Sequence, residues 1–114
     1  MMPSEKYLLE KVISFEFAKI PVWDRSITIE RRSKKEGVFR WAVCKDGFCF
    51  AKDNLWEWEM LPSSRDDKFL DRTRYDSLEE AWSAAGIALE LEMAELENVK
   101  ETHIKIKEKI ESLL

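Results

Sequence analysis

The last third of the chain carries an apolar stripe with helical spacing, and this stripe limits the fold more than any other feature. Its members recur at alternating steps of four and three residues, and they are Leu78, Trp82, Ala85, Leu89, Leu96, Val99, Ile106, Ile110 and Leu113. Glu92 and His103 interrupt the stripe. Ser77 and Glu80 have the spacing of a capping box. The pattern predicts one helix over residues 77–113 with coiled-coil character.

Such a helix is too long for the rest of the molecule. It spans roughly 55 Å, whereas a compact globule of 114 residues is roughly 35 Å across. We expect its second half to form a homodimer. The residues of this self-association site are Leu96, Val99, His103, Ile106, Ile110 and Leu113. The alternative, in which the tail folds back onto the N-terminal segment, stays open.

The N-terminal segment has two readings. Ser4 can cap a helix over residues 4–20, because apolar residues such as Leu8, Val12 and Phe17 follow at three- and four-residue spacing. Residues 13–17 also alternate like a strand. We expect the helix.

The middle of the chain, residues 26–60, alternates like a meander of about four antiparallel strands. Asp46-Gly47 is its strongest hairpin signal, and a two-residue turn there sets Cys44 opposite Cys49. One face of the sheet then carries Phe39, Trp41, Phe48 and Phe50. If Asp53-Asn54 is a second two-residue turn, Trp56 and Trp58 join the cysteine face. Both faces are apolar, so each needs a cover or a partner.

Together these segments predict an α+β fold in a single domain, residues 1–114. The order is a helix, an antiparallel sheet of about four strands, a loop over residues 61–76, and the long helix. Within that loop we expect a short helical turn that Ser64 caps and that runs through Leu70.

Charge and hydropathy restrict the setting. The chain has 19 Lys plus Arg and 23 Asp plus Glu, a net charge of -4, which argues against a simple basic coat for nucleic acid. No apolar run reaches the roughly 18 residues that cross a bilayer, and the N-terminus lacks the order of a signal peptide. We expect a cytoplasmic protein with no membrane partner.

Catalytic and metal sites find little support. Cys44 and Cys49 have neither a Cys-x-x-Cys spacing nor an adjacent histidine, so we expect small buried residues and no metal. His103 is the sole histidine and lacks placed partners; we expect it to set the register of the helix pair. Glu57 and Glu59 share a strand face, which suits acid–base work or a solvated surface, and we favour the surface. We expect neither an enzyme nor a cofactor.

Two polar features suggest binding surfaces. Basic residues cluster with aromatics on the first hairpin, and they are Arg31, Arg32, Lys34, Lys35 and Arg40. They fit phosphate contacts, or the protection of an edge strand. The loop residues Ser63, Ser64, Arg65, Asp66 and Asp67 fit a helix cap, a recognition loop, or both.

One stretch of the chain resembles a known group. Trp41, Gly47, Trp56-Glu57-Trp58-Glu59, Pro62-Ser63-Ser64-Arg65-Asp66-Asp67 and Ser77-Leu78-Glu79-Glu80-Ala81 are similar to small uncharacterised phage and prophage accessory proteins over residues 39–85. The resemblance implies a protein that binds and blocks host machinery, including defence nucleases, in the manner of an anti-CRISPR. It brings no catalytic motif. The strands-then-helix order is also similar to integrase arm-binding domains, which read DNA with an exposed sheet face.

The sequence therefore predicts a non-enzymatic protein-binding module that inhibits or modulates a bacterial host protein. The expected partner surface combines the aromatic face, Phe39, Trp41, Phe48 and Phe50, with the loop from Ser63 to Asp67. The alternative is a small nucleic-acid-binding protein that uses the basic hairpin.

Overall fold

A computed structural model describes residues 14–20, 25–35, 37–59 and 66–114. The strands are β1 (Ser14–Ile20), β2 (Arg25–Lys35), β3 (Val38–Lys45), β4 (Phe48–Phe50) and β5 (Trp56–Trp58), and the helices are α1 (Asp67–Thr73) and α2 (Leu78–Leu113). The strands form one sheet in chain order, and each neighbouring pair is antiparallel. The α+β class is confirmed, with one strand more than expected.

The extra strand is β1, so the helix expected over residues 4–20 is wrong for residues 14–20; the rest of that helix lies outside the described residues. The strand alternation prevails because β1 gains a row of main-chain hydrogen bonds to β2. A bulge between Glu16 and Ala18 shifts the register. Phe15 and Phe17 both reach the ring of Trp82 on α2, at centroid distances of 6.1 and 4.9 Å. Phe17, one of the apolar residues whose spacing suggested a helix, thus lies in a strand and packs against α2.

The hairpin between β3 and β4 follows the prediction. Asp46 and Gly47 have φ values of 49° and 85°, as a type I′ turn requires, and Cys44 pairs with Cys49. A side chain at position 47 would also lack room, because a Cβ there would lie 2.8 Å from the ring of Trp58. Glycine is needed here for both reasons.

The connection between β4 and β5 corrects the expected register. Phe50 pairs with Trp56, so five residues separate the strands instead of two. The turn is held by the Ala51 amide, which donates to the Leu55 carbonyl at 2.8 Å. Because the change in loop length is odd, it moves every β5 side chain to the other face. Trp56 and Trp58 therefore pack beside Phe50 and Phe48, and Glu57 and Glu59 lie with the cysteines.

Helix α2 covers the aromatic face of the sheet. It does so with small residues, Ala81, Ala84, Ala85 and Ala88, which allow close approach to the strands. The buried side chains beneath it are Ile20, Ile27, Ile29, Trp41, Val43, Phe50 and Tyr75. The first half of α2 is thereby fixed on the sheet, and Lys45 on β3 adds an ion pair to Glu92.

The segment expected as a loop over residues 61–76 contains α1 and a single sheet bridge. Asp66 caps α1 by accepting from the Phe69 amide at 2.7 Å, so the expected cap at Ser64 is wrong, and the helix runs past Leu70 to Thr73. Tyr75 then pairs with Trp41 through two main-chain hydrogen bonds of 2.7 and 3.0 Å. Ser77 caps α2 by accepting from the Glu80 amide, as predicted.

The second half of α2 extends beyond the sheet. The radius of gyration is 17.5 Å and the longest dimension 64 Å, against about 13 Å for the radius of a compact domain of this size. Within the described part of the chain, no helix has the length and apolar character needed to cross a membrane.

Candidate functional site

The projecting end of α2 presents an apolar stripe that no other described element covers. We call Val99, His103, Ile106, Ile110 and Leu113 the tail stripe. Ile106, Ile110 and Leu113 are 52%, 54% and 76% exposed, and Val99 is half-buried. Leu96, the sixth residue expected in self-association, is only 3% exposed and so belongs to the interior of the molecule. The other five share one face of the helix and remain accessible.

Charged residues flank the tail stripe on both sides. In heptad terms His103 and Ile110 occupy one core position, and Val99, Ile106 and Leu113 the other. Glu95, Thr102 and Lys109 then lie on one flank, and Lys100 and Lys107 on the other. A groove lined by Glu95, Asn98, Val99, Thr102 and His103 runs beside the start of the stripe. This is the layout of a helix that pairs with another helix.

The expected aromatic partner surface is wrong at its centre. Trp41 and Phe50 are buried beneath α2. Phe39 and Phe48 are exposed but stand apart, because Phe39 lies near the start of β3 and Phe48 pairs with Lys45 at its end. The sequence missed Trp58, which is 60% exposed and packs edge-on against Phe48 at 5.3 Å. Phe48 and Trp58 are the accessible aromatic pair.

The loop from Ser63 to Asp67 is described only at its end. Asp66 and Asp67 form the cap and first turn of α1, while Ser63, Ser64 and Arg65 lie outside the described residues. A carboxylate at a helix start is stabilising in its own right. The two aspartates therefore have a structural role.

The basic hairpin is largely neutralised by carboxylates. Arg32 bonds to Glu30 and Glu59; Lys34 lies 3.5 Å from Asp71 and 3.8 Å from Asp76; Arg40 lies 3.3 Å from Asp76. Arg31 lies over the ring of Phe39 at 5.3 Å, and Lys35 belongs to β2. Paired cations contribute less to phosphate binding than free ones, because their own carboxylates compete for them. Three of the five candidate contacts are therefore already engaged.

The second face of the sheet holds a group of buried charges that the sequence did not indicate. We call Glu30, Arg32, Glu59 and Arg74 the buried charge cluster. Arg74 is fully buried and donates to both Glu59 oxygens, at 2.7 and 3.2 Å, and to the Ser33 carbonyl at 3.1 Å. Glu59 also accepts from Arg32 at 2.7 Å, and its side chain is 7% exposed. The expected solvated strand face is therefore wrong for Glu59.

Hydrogen bonding keeps the Glu30 carboxylate charged. Burial opposes the charge on Glu30, but hydrogen bonds from Arg32 and Thr28 hold the pKa of Glu30 below its usual value. Glu57, two residues before Glu59, instead accepts from Arg72 at 2.6 and 3.0 Å near the surface. The two glutamates of β5 thus serve as structural anchors for the segment around α1.

The cysteine pair adjoins this cluster. Cys44 and Cys49 are both buried, as their sequence context predicts, and no disulfide joins them. The Cys49 sulfur lies 3.4 Å from Glu59 Oε1 and 3.9 Å from Arg74 Nη1. Among the described residues, no group of three or more His, Cys, Asp and Glu side chains is arranged to hold a metal ion.

No family model, curated protein or solved structure matches this chain.

Proposed function

We propose that this chain is a protein-binding module that forms a homodimer through the tail stripe. The observation that carries the proposal is the exposure of Ile106, Ile110 and Leu113 on one helix face beyond the sheet. An isolated helical extension gains little stability from propensity alone, since most helical stability comes from packing an apolar face. A partner helix supplies that packing.

A second copy of the chain is the occupant that the flanking charges favour. In a parallel pair, Glu95 of one helix faces Lys100 of its partner, and Thr102 faces Lys107. In an antiparallel pair, Glu95 faces Lys109, but Lys100 and Lys107 of the two copies face each other with like charge. The parallel pair gains attraction on both sides without that repulsion. His103 then meets its counterpart at the core and sets the register.

Light scattering of two matched single variants tests the dimer. Ile106→Asp places a charge on the tail stripe, whereas Ile104→Asp alters an equally exposed isoleucine beside it, at 57%. We expect the wild type and Ile104→Asp to have the mass of a dimer, and Ile106→Asp that of a folded monomer. Any loss of helix content in Ile106→Asp should be confined to the projecting end of α2, which no longer has a partner to pack against. A wild-type monomer at every concentration, or equal disruption by both variants, would contradict the proposal.

The target of the module is a separate part of the proposal. We infer, from the resemblance alone, that the dimer acts in the bacterial cytoplasm as an inhibitor of a host protein such as a defence nuclease. Phe48 and Trp58 are the aromatic surface available for such a partner, because Trp41 and Phe50 are buried. The nucleic-acid alternative has less support, because Arg32, Lys34 and Arg40 already pair with carboxylates.

A plaque assay tests the inhibitor hypothesis. A strain protected by a nuclease-based defence would regain sensitivity to phage when it expresses the wild-type chain, and Trp58→Ala would reduce that effect. Lys105→Ala, an exposed change on α2 outside the tail stripe and its flanking residues, serves as the matched control. Unchanged protection across a panel of nuclease-based defences would refute the hypothesis without affecting the dimer.

A further inference from the structure

The two cysteines occupy positions that a disulfide can join without movement of the backbone. Asp46-Gly47 is a two-residue turn, so Lys45 and Phe48 form the hydrogen-bonded pair that closes it. The next pair, Cys44 and Cys49, is then of the non-hydrogen-bonded kind, in which the Cα atoms are about 4.5 Å apart. Disulfides accept Cα separations of about 4.4–6.8 Å. The hairpin therefore presents both sulfurs to each other.

Charged groups, and not only apolar ones, surround these sulfurs. The Cys49 thiol donates to Glu59 Oε1 at 3.4 Å, and Arg74 Nη1 lies 3.9 Å from the same sulfur. Glu30 lies two residues along β2 from Thr28, the residue that pairs with Cys44, and therefore on the same face of the sheet as Cys44. Each thiol thus has a carboxylate on the same face of the sheet. The guanidinium of Arg74 lies where it stabilises a negative sulfur.

The two thiols differ in acidity. The hydrogen bond from the Cys44 thiol, assisted by the charges of Arg74 and Arg32, holds the pKa of Cys49 below its usual value. The same hydrogen bond and burial raise the pKa of Cys44. Since the thiolate is the reactive form and Arg74 Nη1 lies 3.9 Å from the Cys49 sulfur, Cys49 is the nucleophile and Cys44 the residue that resolves its oxidised state.

Access to the sulfurs requires only the displacement of side chains. Glu30 and Arg32, whose side chains are 27% and 28% exposed, lie on the strand beside Cys44. Their mutual salt bridge is partly solvated, so Glu30 can turn toward solvent while Arg32 keeps its hydrogen bond to the buried Glu59 carboxylate. A small polar oxidant can then reach the pair between them.

We propose that Cys44 and Cys49 form a reversible thiol–disulfide site that is oxidised by a peroxide. The Cys49 sulfur attacks one oxygen of hydrogen peroxide, the O–O bond breaks, and the products are Cys49 sulfenic acid and water. The Cys44 sulfur then attacks the Cys49 sulfur, the S–O bond breaks, and the Cys44 proton leaves with the hydroxide as a second water. Two thiols lose two electrons in total, and the peroxide gains them. A dithiol reductant returns both thiols.

Intact-mass analysis of the full chain tests the site. The reduced protein is treated with hydrogen peroxide, unfolded, and alkylated with N-ethylmaleimide. We expect both alkylation sites to disappear together, a mass lower by two hydrogen atoms, and full recovery with dithiothreitol. Alkylation of both thiols after peroxide, oxidation of each cysteine to separate higher acids, or a disulfide between two chains would overturn the proposal.

Two single variants test the assignment of roles. Cys44→Ser should stop Cys49 at the sulfenic acid, which dimedone labels. Cys49→Ser should leave Cys44 slower toward peroxide than Cys49 is in Cys44→Ser, because Arg74 Nη1 lies 3.9 Å from the Cys49 sulfur and stabilises its thiolate. Far-UV circular dichroism confirms that each variant is folded. Equal rates in two folded variants would overturn the assignment.

Discussion

Replacement of Glu59 by glutamine measures what the buried charge cluster contributes to folding. Arg74 is fully buried, and two of its hydrogen bonds go to the Glu59 carboxylate. Removal of one partner from a buried ion pair costs about 3–5 kcal/mol, because the remaining charge stays buried without compensation. The glutamine oxygen can still accept one hydrogen bond. We therefore expect Glu59→Gln to lower the free energy of unfolding by about 3 kcal/mol, the lower end of that range.

Glu57→Gln is the matched control, because Glu57 lies on the same strand and face but its partner Arg72 is 41% exposed. An exposed ion pair is screened by solvent, so this variant should lose much less stability than Glu59→Gln. Both changes are made in the Ile106→Asp background, which removes the concentration dependence of a dimer. Urea unfolding followed by tryptophan fluorescence gives the two free energies. Losses below about 1 kcal/mol for both variants would refute the reasoning from burial.

Three further changes test other parts of the fold. Gly37 has a φ of 73° and open space around it, so Gly37→Ala should lower the free energy of unfolding by about 1 kcal/mol. Gly47→Ala should lower it further, because the new Cβ also meets the ring of Trp58. Equal losses for the two variants in urea unfolding would count against that close contact. Gly86 lies inside α2, and no atom lies within 4 Å of the Cβ that alanine would add. Gly86→Ala should therefore raise the free energy of unfolding by about 1 kcal/mol, and a loss of stability would contradict the open space there. The pKa of Glu30 is lower in the folded protein than its usual value of 4.5, so the unfolded chain takes up the proton more readily. Glu30 therefore contributes stability above pH 4.5, and this contribution is lost as the pH falls through the lower pKa of the folded state. Glu30→Gln should flatten that part of the dependence on pH of the free energy of unfolding in urea.

Local signals in the sequence account for the features that were predicted well. Asp46-Gly47 specifies a turn with two positive φ values, and the strand register up to Cys44 and Cys49 follows from that turn alone. Ser77 and the heptad pattern likewise specify the start and length of α2. In both cases the residues that decide the structure are close together in the chain.

The errors arose where a distant partner decides the structure. Residues 14–20 satisfy helical and strand spacing alike, and pairing with β2 selects the strand. The five-residue connection before Trp56 carries a turn signal at Asp53-Asn54, but nothing in its sequence indicates its length. The prediction therefore placed the β5 side chains on the wrong faces of the sheet. No local pattern marks Arg74 as buried, because its partner Glu59 lies on a different element. In each case a contact with a residue distant in the sequence decides the local structure.

The bridge between Trp41 and Tyr75 has a consequence for how the molecule folds. The β3–β4 hairpin closes through near neighbours, whereas this bridge joins residues far apart in the chain and so carries a larger loop-closure entropy. Tyr75 also leads directly into the capped start of α2. We therefore expect the bridge to form late, together with the docking of the helix, and a brief opening there to release α2 while the hairpin persists. Hydrogen exchange at the amides of Trp41 and Tyr75, compared with the amides of the hairpin, would report the free energy of that opening.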